Sequence, residues 1–138
     1  MKETISTKWL NGLAFEAEVD GHKIYMDSNM EHGGKNTGPR PKPLMMVALA
    51  GCTGMDVAAI LKKMKVELED FSVDVEGDVS EDHPKRFLGM KVIYRVKGKD
   101  INKKNIEKAV NLSNTRYCGV SANYSKAFPI THEIIYEE

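Results

Sequence analysis

The chain has 138 residues, long enough to bury a real core and too short for much beyond it, so one domain over residues 1–138 is expected. Its 20 basic and 20 acidic residues cancel, and neither sign gathers into a tail, which excludes an electrostatic footprint for nucleic acid or an anionic membrane. Residues 1–11 carry Lys2, Glu3 and Lys8 without an apolar core, so they do not read as a signal peptide and a cytoplasmic protein is expected.

Thr4 to Leu10 holds β-branched residues and Trp9 and ends at Asn11-Gly12, a strong hairpin signal. Leu13, Phe15, Ala17 and Val19 then alternate with Ala14, Glu16 and Glu18, and Asp20-Gly21 turns the chain into His22 to Asp27. A three-stranded antiparallel meander is expected. Ser28 to Lys42 contains Gly33-Gly34, Gly38 and Pro39-Arg40-Pro41, which reads as an irregular connection. A loop that long in a compact domain is either functional or a plain surface crossover.

Pro43 to Lys65 forms the centre of the chain. From Leu44 to Leu61 almost every position is apolar or small, interrupted by Thr53 and Asp56, so a helix buried on nearly all sides is expected. It is barely long enough to span a bilayer and carries Asp56 and two glycines, so a core helix is expected rather than a membrane span. Gly51 and Gly54 flank Cys52; each costs roughly 1 kcal/mol against alanine in a helix. Close approach by a neighbouring backbone, or by a substrate, would compensate.

Phe71, Val73 and Val75 mark a half-buried strand ending near Gly77, and Ser80 to Pro84 reads as a polar turn. Met90, Val92, Tyr94 and Val96 give a second strand, running to Gly98 and antiparallel to the first. Asn102 can cap the next helix, with Ile101 and Ile106 as a hydrophobic staple. Ile106, Ala109, Val110 and Ser113 share one face of that helix, and Ser113-Asn114-Thr115 should end it. A short helix from near Cys118 to Tyr124 and a strand from Phe128 to Tyr136 close the chain. The fold class is α+β in the order β-β-β-α-β-β-α-(short α)-β. Because the central helix is too apolar for one sheet to cover, an intertwined homodimer with two such helices packed together is expected.

Only a few residues can carry chemistry. Two cysteines are too few for a disulfide scaffold, and in a reducing compartment any pairing would be transient. A reactive cysteine needs a cation or a helix N-terminus to hold its thiolate. Cys52 lies too far inside its helix for the second, leaving Arg40, Lys42, Arg116 or a partner-chain residue as candidate cations, while Asp56 one turn later works against it. On residues alone Cys52 is either an inert core cysteine or a nucleophile. Cys118 follows Arg116 and stands at a helix start, where a lowered pKa is expected, so it is either a resolving thiol or a structural residue. His22, His32, His83 and His132 are dispersed without metal-ligand spacing, so no metal and no cofactor are expected. Dinucleotide, phosphate-loop, hydrolase-elbow and zinc-protease motifs are lacking.

The run Pro43-Leu44 followed by Ala48-Leu49-Ala50-Gly51-Cys52-Thr53-Gly54-Met55-Asp56-Val57, with Ser113 to Cys118 and Val120 later, resembles the OsmC/Ohr family of thiol peroxidases. His83-Pro84-Lys85-Arg86-Phe87 ahead of a strand is similar to that family's middle hairpin. The resemblance spans essentially the whole chain. It implies an OsmC-like fold, an intertwined homodimer with two sites at the subunit interface, and a two-cysteine cycle reducing organic hydroperoxides in stress defence. In that cycle a thiolate becomes a sulfenic acid, a second cysteine captures it as a disulfide, and an external dithiol reduces the product. Cys52 matches the peroxidatic position and Cys118 the resolving one. The family's thiolate-holding arginine and its glutamate partner are not matched: Lys42 and Pro43 stand where that glutamate is sought, and the N-terminal strands contain no arginine. Arg40 is the arginine this sequence offers instead, with Glu31 as a holder. The alternative is a non-catalytic OsmC-like protein binding a small apolar or sulfur-containing ligand at the dimer interface. A third reading is a structural or regulatory partner whose cysteines are core residues.

Overall fold

The computed structural model describes all 138 residues, which form two compact units, residues 1–45 and 46–138. The first unit is a meander of β1 (Ser6–Asn11), β2 (Ala14–Val19) and β3 (His22–Met26), antiparallel throughout. Asp20 and Gly21 both take positive φ, 51° and 80°, and join strands whose ends pair as Val19 with His22. Such a two-residue loop matches the right-handed twist of its strands. The expected alternation along β2 is not kept. Ala14 and Ala17 are buried while Leu13 and Phe15 remain exposed, because a small side chain is covered by nearby backbone whereas a large one needs an opposing layer. Trp9, Ile24 and Tyr25 are exposed as well.

The connection after β3 is built around one carboxylate. Asp27, 4% exposed, accepts hydrogen bonds from the Ser28 amide (2.7 Å), the Lys35 amide (3.2 Å), and the amide (3.1 Å) and hydroxyl (2.7 Å) of Thr37. These donors, the Thr37 hydroxyl foremost and the Ser28 amide next, hold its pKa down at about 2. Gly34 runs against the Ser28 carbonyl so closely that a Cβ would not fit. The segment was expected to lack regular structure, yet Met30–His32 forms one 3₁₀ turn with the Asn29 side chain capping the His32 amide. Asn29 supplies the local acceptor for the turn, while Asp27 ties the segments on either side of it together.

The second unit contains the long helix α1 (Leu44–Lys63), whose first two residues precede the unit boundary, followed by β4 (Asp70–Val79), β5 (Phe87–Lys97), α2 (Lys103–Leu112), α3 (Gly119–Tyr124) and β6 (Ile130–Glu137). Strand β5 is central, antiparallel to β4 and parallel to β6. Its inward residues Met90, Val92, Tyr94 and Val96 are at most 3% exposed. Strand β4 runs past Gly77 rather than ending there: a Cβ on Gly77 would lie 2.7 Å from the Phe87 ring. That glycine marks a close approach rather than a turn.

Helix α1 is buried along a single stripe, Leu49, Thr53, Val57 and Leu61, not on nearly all sides. Val47 and Met55 are 63% and 76% exposed. The i, i+4 spacing is what contact along one line covers. Length and composition would let α1 cross a bilayer. Its polar residues Thr53 and Asp56 are, however, hydrogen-bonded to Tyr94 and Ser113 of the same unit, as fits a core helix.

Helix α2 is capped as expected, the Asn102 side chain accepting from the Asn105 amide at 3.2 Å. Ile106, Ala109 and Val110 are fully buried. The chain does not break at Ser113 but continues through a π-helical turn, Ser113–Tyr117. Turns of this type are found mostly within α-helices and often at functional sites. Here it carries the chain from Ser113 to Cys118.

Candidate functional site

Two routes bring the cysteines together. Along α1, Cys52 and Asp56 are four residues apart and so share a face. From the other side, the π-helical turn delivers Cys118 to the N-terminus of α3, where its sulfur accepts from the Ser121 amide at 3.3 Å. The two cysteines approach each other to 3.1 Å. Cys52 is half-buried and Cys118 is buried, both as free thiols. The sulfurs and the Asp56 carboxylate lie within 4.8 Å of one another.

A buried chain of hydroxyls supports this cluster. The Thr53 hydroxyl sits 2.6 Å from the Tyr94 hydroxyl and 2.9 Å from that of Ser113. Ser113 in turn donates to Asp56 at 3.0 Å, and the Asn114 side-chain amide donates to Tyr94 at 3.4 Å. Thr53, Tyr94 and Ser113 have no exposed surface, so the polar groups must satisfy one another, and they do. Burial raises the Tyr94 pKa, partly offset by its hydrogen bond to Thr53.

The helix start was expected to lower the pKa of Cys118. Instead it is pushed up to about 11. Burial contributes most, the hydrogen bond with Cys52 adds to it, and the Ser121 amide opposes both; the charges of Cys52 and Asp56 raise it further. A helix of six residues contributes a weak dipole, which desolvation outweighs. Arg116, the cation expected beside this thiol, is exposed and stacks over the Tyr117 ring at 5.8 Å.

Of the three residues singled out from sequence, the fold thus unites Cys52 and Cys118. Arg40 belongs to the N-terminal unit, half-buried, with its guanidinium donating to the Gly38 carbonyl at 3.0 Å. Sequence reasoning noted Thr53, Asp56, Ser113 and Tyr94 separately but not as a network. Their signal was polarity at inward positions: Thr53 and Asp56 interrupt an apolar run, Ser113 falls on the apolar face of α2, and Tyr94 on the inner face of β5.

Two thiols and a carboxylate could also ligate a metal, with no histidine joining them. Sulfurs bound to a tetrahedral zinc at about 2.3 Å would stand about 3.8 Å apart. The 3.1 Å approach seen here suits a sulfur–sulfur bond better.

Fold and site together define an α+β protein with a closely spaced dithiol, one thiol buried and the other half-buried. The OsmC-like protein family model matches residues 33–133, and the chain belongs to that family. Protein YhfA of Escherichia coli K12 is 35% identical over 126 residues, covering 91% of each chain. A hypothetical protein from Aquifex aeolicus superimposes with a TM-score of 0.82 at 28% identity, covering 100% of this chain and 99% of that one. An organic hydroperoxide resistance protein from Legionella pneumophila shares the fold with a TM-score of 0.69 at 20% identity, covering 96% of this chain and 97% of that one.

Proposed function

We propose that this protein is a thiol-dependent peroxidase reducing organic hydroperoxides. The observation that carries the reading is the 3.1 Å approach of Cys52 and Cys118, two cysteines from different elements held as free thiols. The more accessible Cys52 attacks the terminal peroxide oxygen, the O–O bond breaks, an alcohol leaves, and Cys52 becomes a sulfenic acid. Cys118 then attacks that sulfur, forming a disulfide and releasing water, and an external dithiol restores both thiols. Arg40 is the cation proposed to stabilise the Cys52 thiolate and orient the peroxide. The apolar residues left exposed on each unit, Trp9, Leu13, Phe15, Ile24 and Tyr25 on the first, Val47 and Met55 on the second, support a homodimer in which a second copy covers them. Such a dimer would work in the cytoplasm, where dithiol reductants are available.

The test is to mix the reduced protein with cumene hydroperoxide and measure intact mass after acid quench. A loss of two mass units, mapped to a Cys52–Cys118 disulfide, is the expected result. Cys52→Ser should abolish peroxide consumption, and Cys118→Ser should allow one turnover without added thiol. If no disulfide forms in the unmodified protein, the peroxidase reading fails and the alternative, a non-catalytic protein binding a small apolar or sulfur-containing ligand, takes its place.

A further inference from the structure

The Cys118 thiol poses a problem that the two-cysteine cycle leaves open. Burial, the largest cause of its raised pKa, keeps this thiol protonated at neutral pH, yet the thiolate is the form that attacks a sulfenic acid. Something must take the proton as the sulfur–sulfur bond forms. The titratable groups around this thiol are Cys52 and Asp56 of α1, Tyr94 of β5 and Tyr124 of α3. Burial raises the pKa of each tyrosine, making both poor proton acceptors. Cys52 is the sulfur under attack. Asp56 remains: it lies within 4.8 Å of both sulfurs, and the Ser113 hydroxyl, itself held by Thr53, donates to one of its oxygens. That leaves the other carboxylate oxygen to accept a proton.

We propose, building on the peroxidase reading, that Asp56 is the general base of the resolving step, taking the proton of Cys118 and returning it to the departing hydroxide of the Cys52 sulfenic acid. The step balances: the Cys118 S–H and Cys52 S–O bonds break, the S–S bond forms, and the proton carried by Asp56 completes one water. Cys118 is oxidised and the sulfenic sulfur reduced, with no outside reagent. Ser113 is a positioning residue, fixing the carboxylate on the side of α1 that faces the thiols. The helical spacing of Cys52 and Asp56 therefore serves chemistry as well as packing: the charge that hinders a thiolate beside it assists the loss of a proton across the pair.

The test separates the two steps. After one equivalent of cumene hydroperoxide, acid-quenched intact masses resolve the sulfenic acid, sixteen mass units heavier, from the disulfide, two lighter. The conversion of one into the other measures resolution, however fast the first step is. Asp56→Asn keeps an oxygen acceptor for Ser113 and should slow that conversion about a hundredfold, the low end of general-base contributions. Its rate should climb about tenfold per pH unit from pH 6 to 9, while the unmodified protein stays nearly flat because the carboxylate supplies the base. Asp56→Glu should recover much of the rate. Conversion in Asp56→Asn at the unmodified rate, or with an unaltered pH profile, overturns the role of Asp56 and leaves the peroxidase reading intact. If the unmodified protein never forms the disulfide, the peroxidase reading fails, and this inference with it.

Discussion

Two carboxylates, the buried Asp27 of the first unit and the half-buried Asp56 of the second, receive opposite treatment. Asp27 is surrounded by donors, three backbone amides and a hydroxyl, and its pKa falls to about 2. Asp56 accepts from one hydroxyl and shares its remaining space with two thiols, one of which is pushed up to about 11. The first arrangement spends every lone pair on fixing a loop. The second leaves acceptor capacity beside groups that can lose protons, and unspent capacity of that kind distinguishes a candidate reaction centre from a structural hub.

The largest expected difference lies in the thiol itself. In native protein, the pH midpoint for iodoacetamide alkylation of Cys118, followed by peptide mass mapping, should lie near 11, against about 9 in the urea-unfolded chain. Thiolate fractions at pH 8 would then differ by about a hundredfold. A group whose folded-state pKa is raised stabilises the fold fully below its unfolded value and loses that contribution as pH rises through the folded one. Stability should accordingly decline between about pH 9 and 11, and a native midpoint near 9 would erase the contrast between the two centres.

Next is the hydroxyl chain. Thr53→Val keeps the shape but removes an atom bonded to both Tyr94 and Ser113. Leaving buried partners short costs about 1–3 kcal/mol, read as a lower urea midpoint with an unchanged slope. A neutral result would mean that the network is dispensable to the fold.

The contribution of Asp27 is best read as a pH dependence. Its depressed pKa gives stability that is present above its ordinary value of 3.8 and lost as pH falls toward 2. Asp27→Asn should flatten the stability curve between pH 4 and 2 in thermal melts. A slope that survives the substitution would assign acid sensitivity elsewhere.

The sequence by itself determined the elements and their order, because periodicity, turn pairs and caps act over a few residues. The Asp20-Gly21 turn, the Asn102 cap and the inward row on β5 all fall where local chemistry puts them. It also marked the two cysteines, and through the family motif their kinship. Tertiary structure decided what depends on distant neighbours. Desolvation, which no local pattern encodes, reversed the expected shift at Cys118. The π-helical turn carried the chain on to Cys118 where a break was expected after Ser113, and a single contact line on α1 left Val47 and Met55 uncovered. Most of all, the closeness of Cys52, Asp56 and Cys118 is a property of packing. Residues 52 and 118 meet only because α1 and the turn after α2 converge beside Tyr94, and no spacing within the chain states that distance.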